Sequence, residues 1–297
     1  MSFLPNIFSG SNAITTEDID SYISNISQNI DIQSNILELQ EASSQYSNYI
    51  CKNALPVLFN ALIQSKMNDD IIADIFQILN NCITDSEYSS SNALLIVDYD
   101  LSLPVIIDCI DTEKAKKKIA VIQIITKLGI LQPSQLQQHL INEQDRLVHF
   151  LTLIDDPNPE VVHDFLALLP ILVLNNSDFQ QLFSFNIMEK LMKLIENKTP
   201  LAISSLRALL SSNTTTQNLF FGTVENMSIM ASLLENEDAD TLSLFIEIFS
   251  SQNSSNYRHF LKEANIIQII LNKSLSGNQQ FIRLLGLSIK KEPDFCK

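Results

Sequence analysis

Residues Asn213 to Phe249 read NTTTQNLFFGTVENMSIMASLLENEDADTLSLFIEIF. Three words stand in a fixed order in that stretch. A polar turn with Asn213 and Gln217 runs into the aromatics Phe220 and Phe221. Met227, Met230 and Leu233 follow at three-residue steps, and after an acidic turn come Leu242, Phe245 and Phe249. Spacings of three and four place such residues on one face of a helix. Each helix offers one apolar stripe that it cannot bury alone, so the three words predict helices that stack on copies of themselves.

The copies are present. The middle word returns as Pro56, Phe59, Leu62; Pro104, Ile107, Ile110; Val148, Leu151, Ile154; Met188, Leu191, Leu194; and Ile267 with Ile270. With Met227 in line, the steps between first members are 48, 44, 40, 39 and 40 residues, the length of an armadillo or HEAT unit. The word before it recurs as Asn176, Phe179, Leu182, Phe183, as Asn253, Tyr257, Phe260, Leu261, and in a thinner form as Gln45, Tyr46, Tyr49, Ile50. The word after it recurs as Ile72, Ile75, Phe76, Leu79; Ile119, Ile122, Leu128; and Val161, Phe165, Leu168, Leu172. Asn158 before Pro159 and Thr199 before Pro200 read as N-caps with Pro in the first turn, and Leu55-Pro56 and Leu103-Pro104 open two more helices. The expectation is an all-α, armadillo-like α-solenoid, a right-handed superhelix of about six repeats. Residues 1–297 form one domain in this reading, with an N-terminal segment 1–16, helical repeats 17–290 and a tail 291–297.

Composition agrees. Only 5 glycines in 297 residues, with 45% hydrophobic content, leave little room for hairpins or phosphate-cradling loops. A net charge of -15 repels nucleic acid and anionic lipid, so neither is an expected direct partner. Cys51, Cys82, Cys109 and Cys296 have no zinc or redox spacing and read as reduced core thiols of a cytoplasmic protein. The opening residues lack a basic start and a long apolar run, and Phe165 to Leu174 is far short of a span, so membrane contact is expected only through partners.

Catalytic chemistry finds no frame. His139, His149, His163 and His259 are widely separated, no GxSxG, HExxH, P-loop or GxGxxG occurs, and the carboxylate pairs Asp155-Asp156 and Glu237-Asp238 fall in turns. No catalytic residue, metal ligand or cofactor site is assigned. Two features allow partner binding instead. Lys114, Lys116, Lys117 and Lys118 gather where a helix begins, against its dipole. Asn176, Asn213 and Asn218 sit in the recurring turns, where capping is the competing role.

Leu147 to Leu234 resembles the head domain of the Uso-type vesicle-tethering family, the general vesicular transport factors of the Golgi. The matching words are Glu160-Val-Val-His-Asp164 with Phe165 to Leu169, then Asn176 to Phe183, Met188 to Glu196, and above all Asn213 to Phe221. Met1 to Pro5, Tyr49 to Leu62 and Leu136 to Leu140 are similar too, and a variable insertion near Asp85 to Asp100 accounts for the 48-residue step. The resemblance implies an armadillo-like head in ER-to-Golgi and intra-Golgi traffic, peripheral at the Golgi membrane, that meets Rab-family GTPases and membrane-fusion machinery. His163 stands where that family tends to have Arg. No heptad region follows before Lys297, whereas the family continues into a coiled coil, so this chain is not expected to bridge membranes by itself.

His163, Asp164, Arg207, Asn176, Asn213, Asn218, Lys116 and Lys117 are the candidate partner-binding residues. An armadillo-type nucleotide-exchange factor for a chaperone ATPase is the alternative, allowed by size and acidity; a nuclear-import adaptor fits less well because the chain has no Trp. Gln279 to Ile289, at one end of the array, is either capped or docked on a second copy, which allows a homodimer.

Overall fold

A computed structural model describes residues 14–64, 68–84, 87–250, 261–262 and 264–291. The opening Met1 to Pro5, the word Asn253 to Phe260, His259 and Cys296 lie outside them. The described residues form helices and no strand. The chain falls into two compact units, Met1–Asn142 and Glu143–Lys297.

The first unit holds α1 (Thr16–Ser27), α2 (Ile32–Ser43), α3 (Ser47–Asn53), α4 (Leu55–Gln64), α5 (Asp69–Cys82), α6 (Ser89–Asp98), α7 (Ser102–Asp108), α8 (Ala115–Leu131) and α9 (Pro133–Leu140). Helices three apart in this order pack on each other: α3 on α6 and α6 on α9, α1 on α4 and α4 on α7, α2 on α5 and α5 on α8. That is a three-helix repeat whose first, second and third helices each form a ladder, the packing of an armadillo-like solenoid. Helices α1 and α2 supply the second and third helix of an early copy.

The second unit holds α10 (Gln144–Phe150), continued by a 3-10 turn (Leu151–Asp155), then α11 (Pro159–Val173), α12 (Ser177–Glu196), α13 (Ala202–Leu210), α14 (Thr214–Phe221), α15 (Val224–Glu235), α16 (Ala239–Ser250), α17 (Ile266–Leu275) and α18 (Gln279–Lys291). The third helices α11, α13, α16 and α18 stack in order, and the second-helix ladder runs from the 3-10 turn through α12 and α15 to α17. In α12 the first and second helices are fused, because nothing between Phe183 and Met188 breaks the helix. One repeat later Gly222 separates α14 from α15, and a Cβ there would stand 2.8 Å from the Asn218 carbonyl oxygen.

The apolar words form the core. Ile72, Ile75, Phe76 and Leu79 of α5, Val161, Phe165, Leu168 and Leu172 of α11, and Leu242, Phe245 and Phe249 of α16 are all buried. Phe220, Phe221 and Phe245 meet ring to ring, with centroids 5.0 and 6.3 Å apart. The register of the middle word needs one correction. Pro56 and Val148 are exposed, whereas Leu55, Leu58, Leu147 and Phe150 beside them are buried. Three-residue steps fall short of the 3.6-residue turn, so a row of three such positions drifts around the helix and one end leaves the core: the first member in these two helices, the last member, Leu194, in α12.

The turns explain how so few glycines suffice. Second helices α1, α12, α15 and α17 end with a left-handed residue, namely Asn29, Lys198, Glu237 and Gly277. In α12 the Lys198 N–H bonds to the Ile195 carbonyl and the Thr199 N–H to the Leu194 carbonyl; Glu237 and Asp238 repeat the pattern on Leu234 and Leu233, as do Gly277 and Asn278 on Ser274 and Lys273. This is the Schellman closure, and only one of the four positions spends a glycine on it. Asn158 caps α11 as expected, its side-chain oxygen accepting from the Glu160 N–H at 2.9 Å with Pro159 next. Thr199 does not cap α13. That helix starts at Ala202 after a left-handed Leu201, and Thr199 instead helps close α12 through its N–H.

No single described helix is long and apolar enough to cross a membrane. Helices α6 and α7 meet that length and composition only as a pair bent by 84°.

Candidate interaction face

The third helices of the second unit turn one side inward and leave the other open. On α11 the outward positions His163, Ala167 and Pro170, with Leu174 just past its end, follow the helical spacing, and His163, Ala167 and Leu174 are exposed. Neighbouring α13 presents Ser204, Arg207 and Ala208, with Ser211 just past its end, and α16 presents Glu247. A groove of about 550 Å³ runs between them, lined by Pro170, Leu174, Arg207, Ser211 and Glu247 among others. The small Ser and Ala side chains of α13 keep its floor low.

Arg207 links two rungs of this ladder. Its Nε lies 3.3 Å from a Glu247 carboxylate oxygen, and Nη2 donates to the Asp240 carbonyl at 3.5 Å. The Nε contact is an ion pair and not an aligned hydrogen bond, since Nε has no partner that meets hydrogen-bond geometry. Arg207 is about one-third exposed, so it is both a tie from α13 to α16 and a charge presented to the groove. Glu247 was not among the residues singled out from the sequence, because only stacking brings positions forty apart into contact.

The Asn turns belong chiefly to the fold. Asn213 is buried; its side-chain oxygen accepts from the Thr215 and Thr216 N–H groups, and its amide donates to the Gln180 side chain at 3.0 Å and to the Ser177 carbonyl at 3.1 Å. Gln180 in turn donates to the Ala208 and Ser211 carbonyls. Asn176 caps α12 through the Phe179 N–H at 3.1 Å. Only Asn218 stands exposed, on α14. Asp164, half-buried, follows exposed His163 but points a third of a turn away.

Within the first unit, the lysine run opens α8 as expected. Lys114 pairs with Asp69 at the start of α5, and the Lys117 ammonium lies 3.9 Å from the same carboxylate. The Lys114 hydrogen bond pulls the Asp69 pKa below its usual value and raises that of Lys114. Asp69 thus offsets the charge at the α8 N-terminus, and of the two candidate lysines Lys116 is exposed whereas Lys117 is largely covered. Another juxtaposition absent from the sequence reading joins Cys51 and Cys82: hydrogen bonding with Cys51, and then burial, push the Cys82 thiol well up.

Compared by sequence, the chain matches no protein-family profile and no curated protein. Compared by structure, it is similar to two crystal structures of Uso1. The first, Uso1-1, superposes with a TM-score of 0.76 at 17% identity over 86% of this chain and 48% of that one. The second, Uso1-2, gives 0.75 at 16% identity over 91% of this chain and 48% of that one. This chain has the fold of the Uso1 structures and spans about half the length of each.

Proposed function

We propose that the chain, taken as one armadillo-like head domain, is a protein-interaction scaffold of the vesicle-tethering kind, working in ER-to-Golgi and intra-Golgi transport and in vesicle fusion with the Golgi. The observation that carries this reading is the match of nearly the whole chain to the Uso1 structures. The open face of α11, α13 and α16 gives the reading a surface, with His163, Arg207 and Glu247 as its polar contacts. Its partners in this reading are a Rab-family GTPase and membrane-fusion machinery, and the chain reaches the membrane through them. Catalysis plays no part; the work is done by holding partners on stacked helices.

The test is affinity capture from cytosolic extract on the immobilised chain, in parallel with GDP and a non-hydrolysable GTP analogue, read by mass spectrometry. Recovery of a Rab-type GTPase with Golgi fusion factors is expected, reduced by His163→Asp. Recovery of chaperones alone, released by ATP, would overturn the proposal in favour of a nucleotide-exchange factor.

A further inference from the structure

The second unit carries a second groove. It runs along the C-terminal half of α12 and is closed by α14 and α15, with a volume of about 640 Å³, inside the roughly 300–1,000 Å³ typical of binding clefts. Half-buried Leu219 and Ile229 supply apolar surface, with Met188 and Met192 buried at its base. Phe185, 65% exposed, stands over it. A phenylalanine left so far open beside two methionines is an adaptable apolar surface.

The rim is acidic. Glu189, Glu196 and Glu225 border the groove with a single cation, Lys193. Lys193 is occupied by Glu189 at 2.7 Å, which lowers the Glu189 pKa. Glu196 and Glu225 have no ion-pair partner among the described residues; Glu225 lies in the first turn of α15, where the helix dipole suits it, whereas Glu196 ends α12, where the dipole adds to its negative potential. Ser184, 1% exposed, lies in the same wall with a hydroxyl that has no hydrogen-bond partner among the described residues.

The walls also select the backbone of the occupant. All three are α-helices, so no strand edge is on offer to pair an extended peptide along α12, and the unspent backbone donors are confined to the first turn of α15 behind Thr223. An entering segment must therefore satisfy its own backbone, as a helix does. From Ser184 to Glu196 the groove follows α12 for about 18 Å at 1.5 Å per residue, the length of about three helical turns. We propose that this groove binds a basic amphipathic helix of a partner protein, with apolar residues on Phe185, Leu219 and Ile229 over the buried Met188 and Met192, and Lys or Arg on Glu196 and Glu225. The proposal does not depend on the tethering role.

The experiment uses the full chain and three fluorescein-labelled peptides of about fourteen residues: an amphipathic Leu/Lys helix, the same composition scrambled to remove amphipathicity, and a Leu/Glu helix. Anisotropy gives affinity, and methionine-methyl NMR, assigned by Met→Leu variants, reports where binding occurs. The Leu/Lys helix is expected to bind and to move the Met188 and Met192 methyl signals, whereas the other two peptides do neither. Phe185→Asp, and separately Glu196→Lys with Glu225→Lys, should each weaken binding about tenfold or more with unchanged circular dichroism. If Phe185→Asp does not fold, the charge-reversal variant alone decides. Equal binding of the scrambled peptide, unmoved methyl signals, or wild-type affinity in the charge-reversal variant would overturn the proposal. So would concentration-dependent self-association that Phe185→Asp abolishes, since the groove would then hold a second copy of this chain. Failure to capture a GTPase bears on the tethering reading and leaves these outcomes unaffected.

Discussion

At the residue scale, one carboxylate shows how a surface charge is used. Asp69 begins α5, where negative charge suits the helix dipole, and it faces Lys114 and Lys117 at the start of α8, where positive charge does not. Because folding lowers the Asp69 pKa, its contribution to stability is complete above the unfolded value and is lost as pH falls through the lower folded one. Because folding raises the Lys114 pKa, that partner's contribution is complete below its unfolded value and lost at alkaline pH above the folded one. The wild type should therefore exceed Asp69→Asn in melting temperature across the neutral range, with the difference vanishing in acid below the folded pKa of Asp69. Melting curves from acid to neutral pH check this, and a difference that persists in strong acid would show another role for Asp69.

At the element scale, backbone groups decide the junctions. Pro170 lies inside α11 and has no N–H, so the Leu166 carbonyl four residues earlier loses its intrahelical donor. Ser205 of α13 replaces it, its buried hydroxyl donating to the Leu166 oxygen at 2.9 Å. Removing that donor leaves a buried carbonyl unpaired, so Ser205→Ala should cost about 1–3 kcal/mol. In a Pro170→Ala background, where the helix regains its own N–H donor, the same substitution should cost clearly less. A double-mutant cycle by denaturant melting measures the coupling, and equal costs in both backgrounds would remove the link. The helix ends make a second case. Lys198 is exposed and holds φ 55, a conformation costing a non-glycine residue about 1–2 kcal/mol. Gly277 occupies the matching place after α17. Lys198→Gly should accordingly raise stability by about 1 kcal/mol, less what glycine adds to the freedom of the unfolded chain, and a fall in melting temperature would show that the Lys198 side chain matters more than its backbone.

At the scale of the whole molecule, 34 acidic residues against 19 basic ones make self-repulsion the dominant long-range term. Folding brings these charges closer together. Added salt should then raise the melting temperature overall, because screening of the excess carboxylates outweighs screening of the few cross-helix pairs such as Lys190 with Asp155 and Lys273 with Glu237. A melting temperature that falls with salt would mean that the pairs prevail. The same excess negative charge suits basic partners, which is the charge pattern of the groove beside α12.

Sequence alone determined the helical class, the forty-residue period and the three-word order within it, since apolar spacing at three and four survives in any helix that must bury one face. It found the second helices at Phe59, Ile107, Leu151, Leu191, Met230 and Ile270, all of which are buried. It missed α1 and α2 as an early copy and did not name α13 as the third helix of its repeat, because α13 is short and carries Ser and Arg between its leucines. What only the tertiary structure decided are the contacts between positions one repeat apart, Arg207 with Glu247, Asn213 with Gln180 and Ser205 with Leu166, and the meeting of Cys51 with Cys82 across the first and third helices of one repeat. Hydrogen bonds and ion pairs leave no period in a sequence, because their partners are chosen by the stacking of neighbouring helices and not by the helix that carries them. For the same reason Asn213 is a buried tie and Glu196 an open carboxylate, a distinction that exists only once the helices have packed.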